Sequence, residues 1–349
     1  MDFGTFMEFG CKNGLPTPKA FSQSFSHARL AESLGMDTIW LAEHHFEPDR
    51  SVISAQLIIA SILAAKTNRI KIGTAIHVLP LGHPLRIAEE VATLDHLTSG
   101  RLLFGIGRSA MPGDFNSYNI PLDESRARFS EYLEVILGVW KTKGFSYHGD
   151  FYTFDNINLV PKPFQTPHPP IRIAAGSPDT YELIGRLGFP IFAALRQTGI
   201  TAVTQYVKSY KRAWQEMGHP GQPDVYLRVP IHVAKTDEQA IRDAEQSFMA
   251  QYRRLGTLIS DSAESRGADL VNQRIDRGSG LTTVTWPEAM KEKVIVGSSE
   301  TVTRRLSDMA DALGLNGIAA ELNAGELLSE AKVSESLRLL CQEVLPHFR

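Results

Sequence analysis

Cysteine is scarce in this sequence: the 349 residues contain two, Cys11 and Cys341, near opposite ends of the chain. Two distant cysteines provide neither a disulfide framework nor a cluster of metal ligands. We therefore expect a protein of the reducing cytoplasm that holds no metal ion.

Charge of one sign and long apolar runs are scarce as well. The formal net charge is −3 and no block of lysine or arginine occurs, so we expect no nucleic-acid partner. Residues 57–65 form the longest strongly apolar stretch, which is too short to cross a bilayer. The opening residues lack the basic and apolar parts of a signal peptide, so neither export nor membrane binding is expected.

A glycine-rich phosphate-binding fingerprint is missing after the first β-rich run, which argues against an open dinucleotide-binding sheet. Instead, β-rich runs alternate with helical patterns, and this alternation predicts parallel strands joined by crossover helices. Eight such units favour a single α/β domain over residues 1–349, a (β/α)₈ TIM barrel. The predicted strands are residues 2–7, 37–43, 70–78, 101–107, 171–175, 190–195, 225–234 and 317–322.

Two segments interrupt the alternation, after the fourth and after the seventh predicted strand. Residues 145–169 are rich in proline and aromatic side chains and are predicted to form an excursion. Residues 256–291 are polar, carry glycines at 267, 278 and 280, and show no clear period, so we expect a long loop. Such a loop at the catalytic face is either a lid over the site or a tolerated insertion, and the sequence leaves both open.

His44 lies where the second predicted strand ends, in the motif Glu43-His44-His45. Side chains alternate along a strand, so His44 shares a face with Thr38 and Trp40 and would point into the barrel mouth, where barrel active sites are built. A single histidine there can move protons near neutral pH. Two alternatives stay open: the motif is a polar rim, or it binds a metal ion, although adjacent histidines on a strand diverge.

Arg108, Arg126 and the turn at residues 176–180 predict a phosphate site. Arg108 follows the fourth strand, and Ser177-Pro178 is typical of the start of a helix. The N-terminus of a helix attracts an anion, and two arginines would complete a monophosphate site. The alternatives are that Ser177 is only a cap and that Arg126 pairs with Asp123 on a solvated face.

Residues throughout the chain resemble those of the bacterial luciferase-like flavin monooxygenases, most strongly over the first 190 residues. The likeness includes the motif EHHF at residues 43–46. The segments that carry it are DFGTF (2–6), MDTIWLAEHHF (36–46), NRIKIGTAIHVLPLGHPLRIAEEVATLDHLTSGRLLFGIGR (68–108), ESRARFSEYLEVI (124–136), IRIAAGSPDTYELIGRLG (171–188) and IVGSSETVTRRL (295–306).

The resemblance implies a TIM barrel that oxygenates a small organic substrate, such as an aldehyde, a ketone or a terpene-like molecule, through a flavin C4a-hydroperoxide. Dioxygen would be the oxidant, and reduced FMN would come from a separate flavin reductase. His44 matches the catalytic histidine of the family. The bond between Ala75 and Ile76 matches a non-prolyl cis peptide under the flavin ring. The implied cofactor-binding residues are Ala75, Arg108, Arg126, Ala175, Gly176, Ser177 and Thr180.

Three departures from the light-emitting members make light emission unexpected. Gly107 stands where those members have a cysteine, and Gly176 stands where they have an acidic residue. A tryptophan near the sixth strand is replaced around Ala194 and Leu195.

Two rival functions share this fold: a deazaflavin-dependent hydride-transfer enzyme and a catalytically silent flavin-binding protein. The family also pairs barrels through the helices predicted here at residues 53–65 and 84–97, so we expect a homodimer.

Overall fold

The computed structural model describes residues 1–11, 14–109, 111–196, 198–261 and 271–349. Eight parallel strands form a closed barrel, because each pairs with two neighbours and the last pairs with the first. The predicted TIM barrel is therefore confirmed. The barrel strands are β1 Asp2–Met7, β2 Thr38–Leu41, β3 Lys71–Thr74, β5 Leu102–Gly107, β8 Ile171–Ala174, β9 Ile191–Ala194, β10 Val225–Val233 and β12 Gly317–Glu321.

Among the described residues, four further strands lie outside this ring. β4 (His77–Val78) pairs with the end of β5, and β11 (Ile295–Gly297) pairs with the end of β10. The predicted excursion after the fourth barrel strand contains an antiparallel hairpin of β6 (Phe145–His148) and β7 (Thr153–Ile157).

The helices cover the outside of the barrel. Within the described ranges, none is both long and apolar enough to span a membrane. They are α1 Thr17–Ser33, α2 Gln56–Lys66, α3 Pro84–Leu97, α4 Pro112–Ser117, α5 Ser125–Lys141, α6 Pro178–Leu187, α7 Ile200–Glu216, α8 Asp237–Asp261, α9 Val271–Thr283, α10 Trp286–Glu292, α11 Ser299–Leu313 and α12 Glu330–Leu339.

Trp40 fills the centre of the barrel. Its ring contacts the rings of Phe192 and Tyr226 edge-on, at centroid distances of 4.8 and 5.5 Å, and both partners come from strands on other sides of the barrel. Gly4 and Gly73, on the strands flanking β2, leave room for the indole, since a Cβ at either position would collide with it. The face of β2 that was predicted to point inward therefore does so.

The prediction of a long loop at residues 256–291 is wrong for the described part of that segment. Residues 256–261 complete α8, and α9 and α10 follow, while residues 262–270 lie outside the described residues. Two glycines serve helix packing here: an added Cβ at Gly256 would meet the backbone of Gly278, so α8 and α9 approach each other where neither has a side chain. Whether the segment acts as a lid stays a prediction.

Candidate active site

His44 lies at the carboxyl end of β2, and its side chain faces Glu8, which follows β1. The imidazole Nε2 is 3.0 Å from Glu8 Oε1, and 15% of the side chain is exposed. The backbone holds the residue in place, because His44 N donates to Ile53 O at 3.0 Å. His44 thus lies at the barrel mouth as the spacing predicted, and its catalytic role stays a prediction.

Glu8 is the centre of a buried charge cluster that the sequence did not reveal. Besides His44, it accepts from Arg50 Nη2 at 2.7 Å and from Arg228 Nη2 at 3.2 Å, and Arg228 also pairs with Glu321 at 2.9 Å. Burial alone would raise the pKa of Glu8, but Arg50, His44 and Arg228 hold this pKa well below its usual range. The carboxylate is therefore ionised at neutral pH.

The same surroundings set the protonation of His44. Burial lowers the pKa of His44, and Arg50 lowers it further, while Glu8 opposes this shift without cancelling it. The imidazole is therefore neutral at pH 7. An ionised carboxylate only accepts hydrogen bonds, so the proton lies on Nε2 and Nδ1 is left as an acceptor. His44 can consequently take up a proton at Nδ1.

Glu43 organises a second polar cluster on the other side of the motif. Its Oε1 accepts from His45 Nε2 at 2.8 Å, and its Oε2 accepts from Gln56 Nε2 at 2.5 Å and from Val78 N at 3.1 Å. His77 Nδ1 is also 3.1 Å from Oε2. This carboxylate ties β2 to the segment after β3, so Glu43 and His45 form the polar rim that the sequence left open, while His44 faces away from it.

The metal alternative has no support in the geometry. His44 faces Glu8 and His45 faces Glu43, so the adjacent histidines diverge as predicted. In the part of the chain that the structure describes, no three His, Cys, Asp or Glu side chains are grouped as metal ligands would be.

A cavity of about 320 Å³ opens at the barrel mouth beside these clusters. Its wall includes the peptide between Ala75 and Ile76, which is cis, so that prediction is confirmed. Six of the eight predicted site residues line it: Ala75, Arg108, Ala175, Gly176, Ser177 and Thr180. His44 and Arg126 are outside the described wall, and His44 adjoins it through Glu8 and Arg228, which does line the cavity.

The predicted phosphate residues converge at the N-terminus of α6. The Ser177 hydroxyl donates to Asp179 Oδ1 at 2.6 Å and is 2.8 Å from Thr180 Oγ1, and it does not cap the helix. Arg126 Nη2 is 2.7 Å from Asp179 Oδ2. Arg126 therefore pairs with a residue of this turn and not with Asp123, the partner that the alternative named. Arg108 lines the same cavity and donates to Ser125 Oγ at 3.0 Å.

The sequence did not predict two charged residues of the cavity wall, Arg196 and Arg228. Arg228 lies within β10, where a charged side chain interrupts an otherwise apolar strand, and that interruption was a usable signal. Arg196 lies two residues after β9, and nothing in the sequence distinguishes it from an exposed loop arginine. Only its place in the cavity wall does so.

A helix start, arginines and a half-buried histidine thus lie together at one mouth of a TIM barrel, the end at which barrel enzymes carry their active sites. The family model of the luciferase-like monooxygenases matches residues 1–316, so the chain belongs to the luciferase-like monooxygenase family.

Relatives across this family cover the chain from end to end. The oxygenase component of the flavin-dependent trigonelline monooxygenase of Acinetobacter baylyi is 26% identical, over 100% of this chain and 96% of that protein. The limonene 1,2-monooxygenase of Rhodococcus erythropolis is also 26% identical, over 100% of this chain and 87% of that protein.

A solved structure shows the same fold. It is the oxygenating constituent of the 3,6-diketocamphane monooxygenase of Pseudomonas putida in complex with FMN. It superimposes with a TM-score of 0.81 at 22% identity, over 99% of this chain and 98% of that chain.

Proposed function

We propose that this monooxygenase uses reduced FMN, made by a separate flavin reductase, and dioxygen to oxygenate a small organic substrate. The observation that carries the proposal is the cavity of about 320 Å³, which joins an anion-binding end to an apolar floor. Its volume lies in the range of roughly 300–1,000 Å³ that is usual for small-molecule sites. The trigonelline relative is named an oxygenase component, which supports a separate reductase.

The residues present fit FMN. Its phosphate would be held by Arg108, the hydroxyls of Ser177 and Thr180, and the N–H groups at the start of α6, which Ser177 leaves uncapped. Arg126 would bind the same phosphate in place of its present partner, Asp179. The ring would lie against Ala75 and the neighbouring apolar wall, beside the His44 cluster.

When bound, reduced FMN supplies the two electrons with which dioxygen is split, one oxygen atom entering the substrate and the other leaving as water. The chain itself positions the flavin and the substrate, excludes water and moves a proton. His44 does the last of these at Nδ1, with Glu8 holding the opposite nitrogen. The C4a-hydroperoxide route and the aldehyde, ketone or terpene-like substrate stay part of the proposal.

The segment 256–291, which begins in the last turns of α8, is proposed to cover the site during turnover. Its support is a contact between α8 and the loop that follows His44: Arg254 Nη2 is 3.6 Å from Glu47 Oε2. Covering the site would exclude water from the reacting flavin.

The function is tested by oxygen consumption and product mass with reduced FMN and a panel of carbonyl and terpene compounds. We expect substrate-dependent oxygen uptake and products heavier by one oxygen atom. Anaerobic turnover with reduced deazaflavin, and none with reduced FMN plus oxygen, would establish the hydride-transfer rival instead. Tight flavin binding without any oxygen uptake would establish the silent one.

The phosphate site makes a separate prediction about flavin affinity. Changing Arg108→Gln removes a charge-assisted hydrogen bond to the phosphate, so the dissociation constant of FMN should rise roughly 10- to 100-fold. Riboflavin lacks the phosphate and serves as the matched control: its affinity should hardly change. Both constants are measured by quenching of flavin fluorescence, and equal losses for FMN and riboflavin would contradict the assignment.

A homodimer through α2 and α3 is also proposed. Ile58 and Ile62 on α2 are 66% and 40% exposed, and Leu97 at the end of α3 is 58% exposed, which leaves apolar side chains on this face. An Ile58→Glu, Ile62→Glu variant would bury carboxylates without partners, so its dimer dissociation constant should rise by about 100-fold or more. Analytical ultracentrifugation measures this, with exposed Val160→Glu as control, and an unchanged association would contradict the interface.

A further inference from the structure

The cavity carries more positive charge than a flavin phosphate needs. Among its described lining residues are three arginines, Arg108, Arg196 and Arg228, and no carboxylate. Arg228 is neutralised within the protein by Glu8 and Glu321. Arg108 belongs to the proposed phosphate end, where it donates to Ser125.

Arg196 is different, because its charge is not paired. Within the described residues its guanidinium makes no hydrogen bond and lies within 4.0 Å of no carboxylate. The charges that act on it are Arg228 and Arg50, which oppose its protonation, and Glu321 and Glu8, which favour it. Burial, together with Arg228, lowers the pKa of Arg196 to about 10, so the group is still a cation at neutral pH.

Arg196 is half-buried in the cavity wall, and a cation that is partly removed from water without a counter-ion costs free energy that an anionic ligand would recover. The position of Arg196 indicates which ligand. The charges acting on it belong to the cluster that holds His44, and Arg196 follows β9, whereas Arg108 and Ser177 follow β5 and β8. A ligand anion at Arg196 would therefore lie toward His44 and away from the phosphate end.

We propose that Arg196 binds a carboxylate of the organic substrate and that the enzyme is specific for organic carboxylates. The planar fork of a guanidinium matches a carboxylate with two parallel hydrogen bonds, which also fixes the orientation of the ligand. The carboxylate would anchor one end of the substrate beside the apolar wall, and the carbon to be oxygenated would lie between this anchor and His44. This inference rests on the proposed function, because only that function makes the bound carboxylate a substrate.

Binding without turnover tests the proposal. The probes are benzoate with benzamide, and hexanoate with hexanamide, titrated into the protein loaded with oxidised FMN and followed by isothermal calorimetry and by the flavin absorption band. We expect each carboxylate to bind roughly 10- to 100-fold more tightly than its amide. In Arg196→Gln this preference should disappear, while FMN affinity and the affinity for the amides stay unchanged.

Two further variants control the experiment. Arg212→Gln removes an exposed arginine of α7 and should leave every constant unchanged. Arg196→Lys keeps the charge without the fork and should retain only part of the preference. Because Arg196 has no hydrogen-bond or ion-pair partner among the described residues, Arg196→Gln should unfold at a urea concentration no lower than the parent does. A structural arginine would give a clear loss.

The outcomes separate this inference from the proposed function. Equal binding of carboxylates and amides to the parent protein, or a preference that survives in Arg196→Gln, would overturn the carboxylate site. A loss of FMN affinity in Arg196→Gln, with the probe preference intact, would assign the residue to the flavin instead. The titrations are repeated without flavin. A protein that fails to bind FMN would refute the proposed function, and the constants measured without flavin would still decide whether Arg196 binds a carboxylate.

Discussion

Replacing His44 by alanine is expected to lower the rate of substrate oxygenation by about 10²- to 10⁴-fold, the usual contribution of a positioned acid–base group. Burial and Arg50 keep the imidazole neutral, and the 3.0 Å contact with Glu8 fixes the proton on Nε2. Alanine removes the acceptor at Nδ1. The other described side chains that contact the Glu8 carboxylate are Arg50 and Arg228, and a protonated guanidinium cannot accept a proton in its place. FMN affinity should be nearly unchanged, since His44 is outside the described cavity wall.

The pH dependence of the parent enzyme gives an independent check. The rate should fall as His44 becomes protonated, because the acceptor at Nδ1 is then lost. Since burial lowers the pKa of His44, this acid limb should lie below the range of about 6.5 that is usual for histidine. A limb at or above that range would contradict the assigned surroundings.

The measurements are single-turnover product formation and hydrogen peroxide release with reduced FMN, at several pH values. Exposed His148→Ala on the β6–β7 hairpin is the matched control and should match the parent enzyme. We also expect more peroxide per oxygen consumed in His44→Ala, because oxygen that is not transferred leaves as peroxide. An alanine variant with the parental rate and parental peroxide yield would show that His44 belongs to the polar rim alone.

Replacing Glu43 by alanine is expected to lower the free energy of unfolding by about 3–5 kcal/mol, the cost of removing one partner from a buried ionic cluster. Glu43 is the common acceptor of His45, Gln56 and the Val78 backbone, and all three donors would be left buried. Urea unfolding followed by circular dichroism measures the loss. The exposed Glu89→Ala on α3 is the control and should change stability by no more than about 0.5 kcal/mol.

The pH dependence of this loss follows from the charge of Glu43. Burial alone would raise its pKa, but His77, His45 and Gln56 hold the pKa below its usual range. A carboxyl whose pKa is lowered in the folded state stabilises the fold fully above its unfolded pKa, about 4.3, and progressively less below it. The difference between parent and variant should therefore be largest near neutral pH and shrink below that value. A loss under about 1 kcal/mol at pH 7 would show that water replaces the carboxylate.

Local patterns were sufficient for the barrel strands, because each is a short, mostly apolar run that alternates with a helical pattern. They were insufficient for α9, which lies in the segment predicted as a long loop. It contains two glycines, which have low helix propensity. Tertiary packing overrides that propensity, because Gly256 of α8 and Gly278 of α9 allow the two helices to contact each other closely.

The candidate site divides in the same way. The sequence by itself determined the barrel, the place of His44 at its mouth and the helix start at Ser177, since each depends on strand order and on neighbours within a few residues. Only the tertiary structure decided the protonation of His44 and the isolation of Arg196. The charges that act on these two residues belong to residues 8, 50, 228 and 321, which lie on separate strands and loops. Only closure of the barrel brings these charges together.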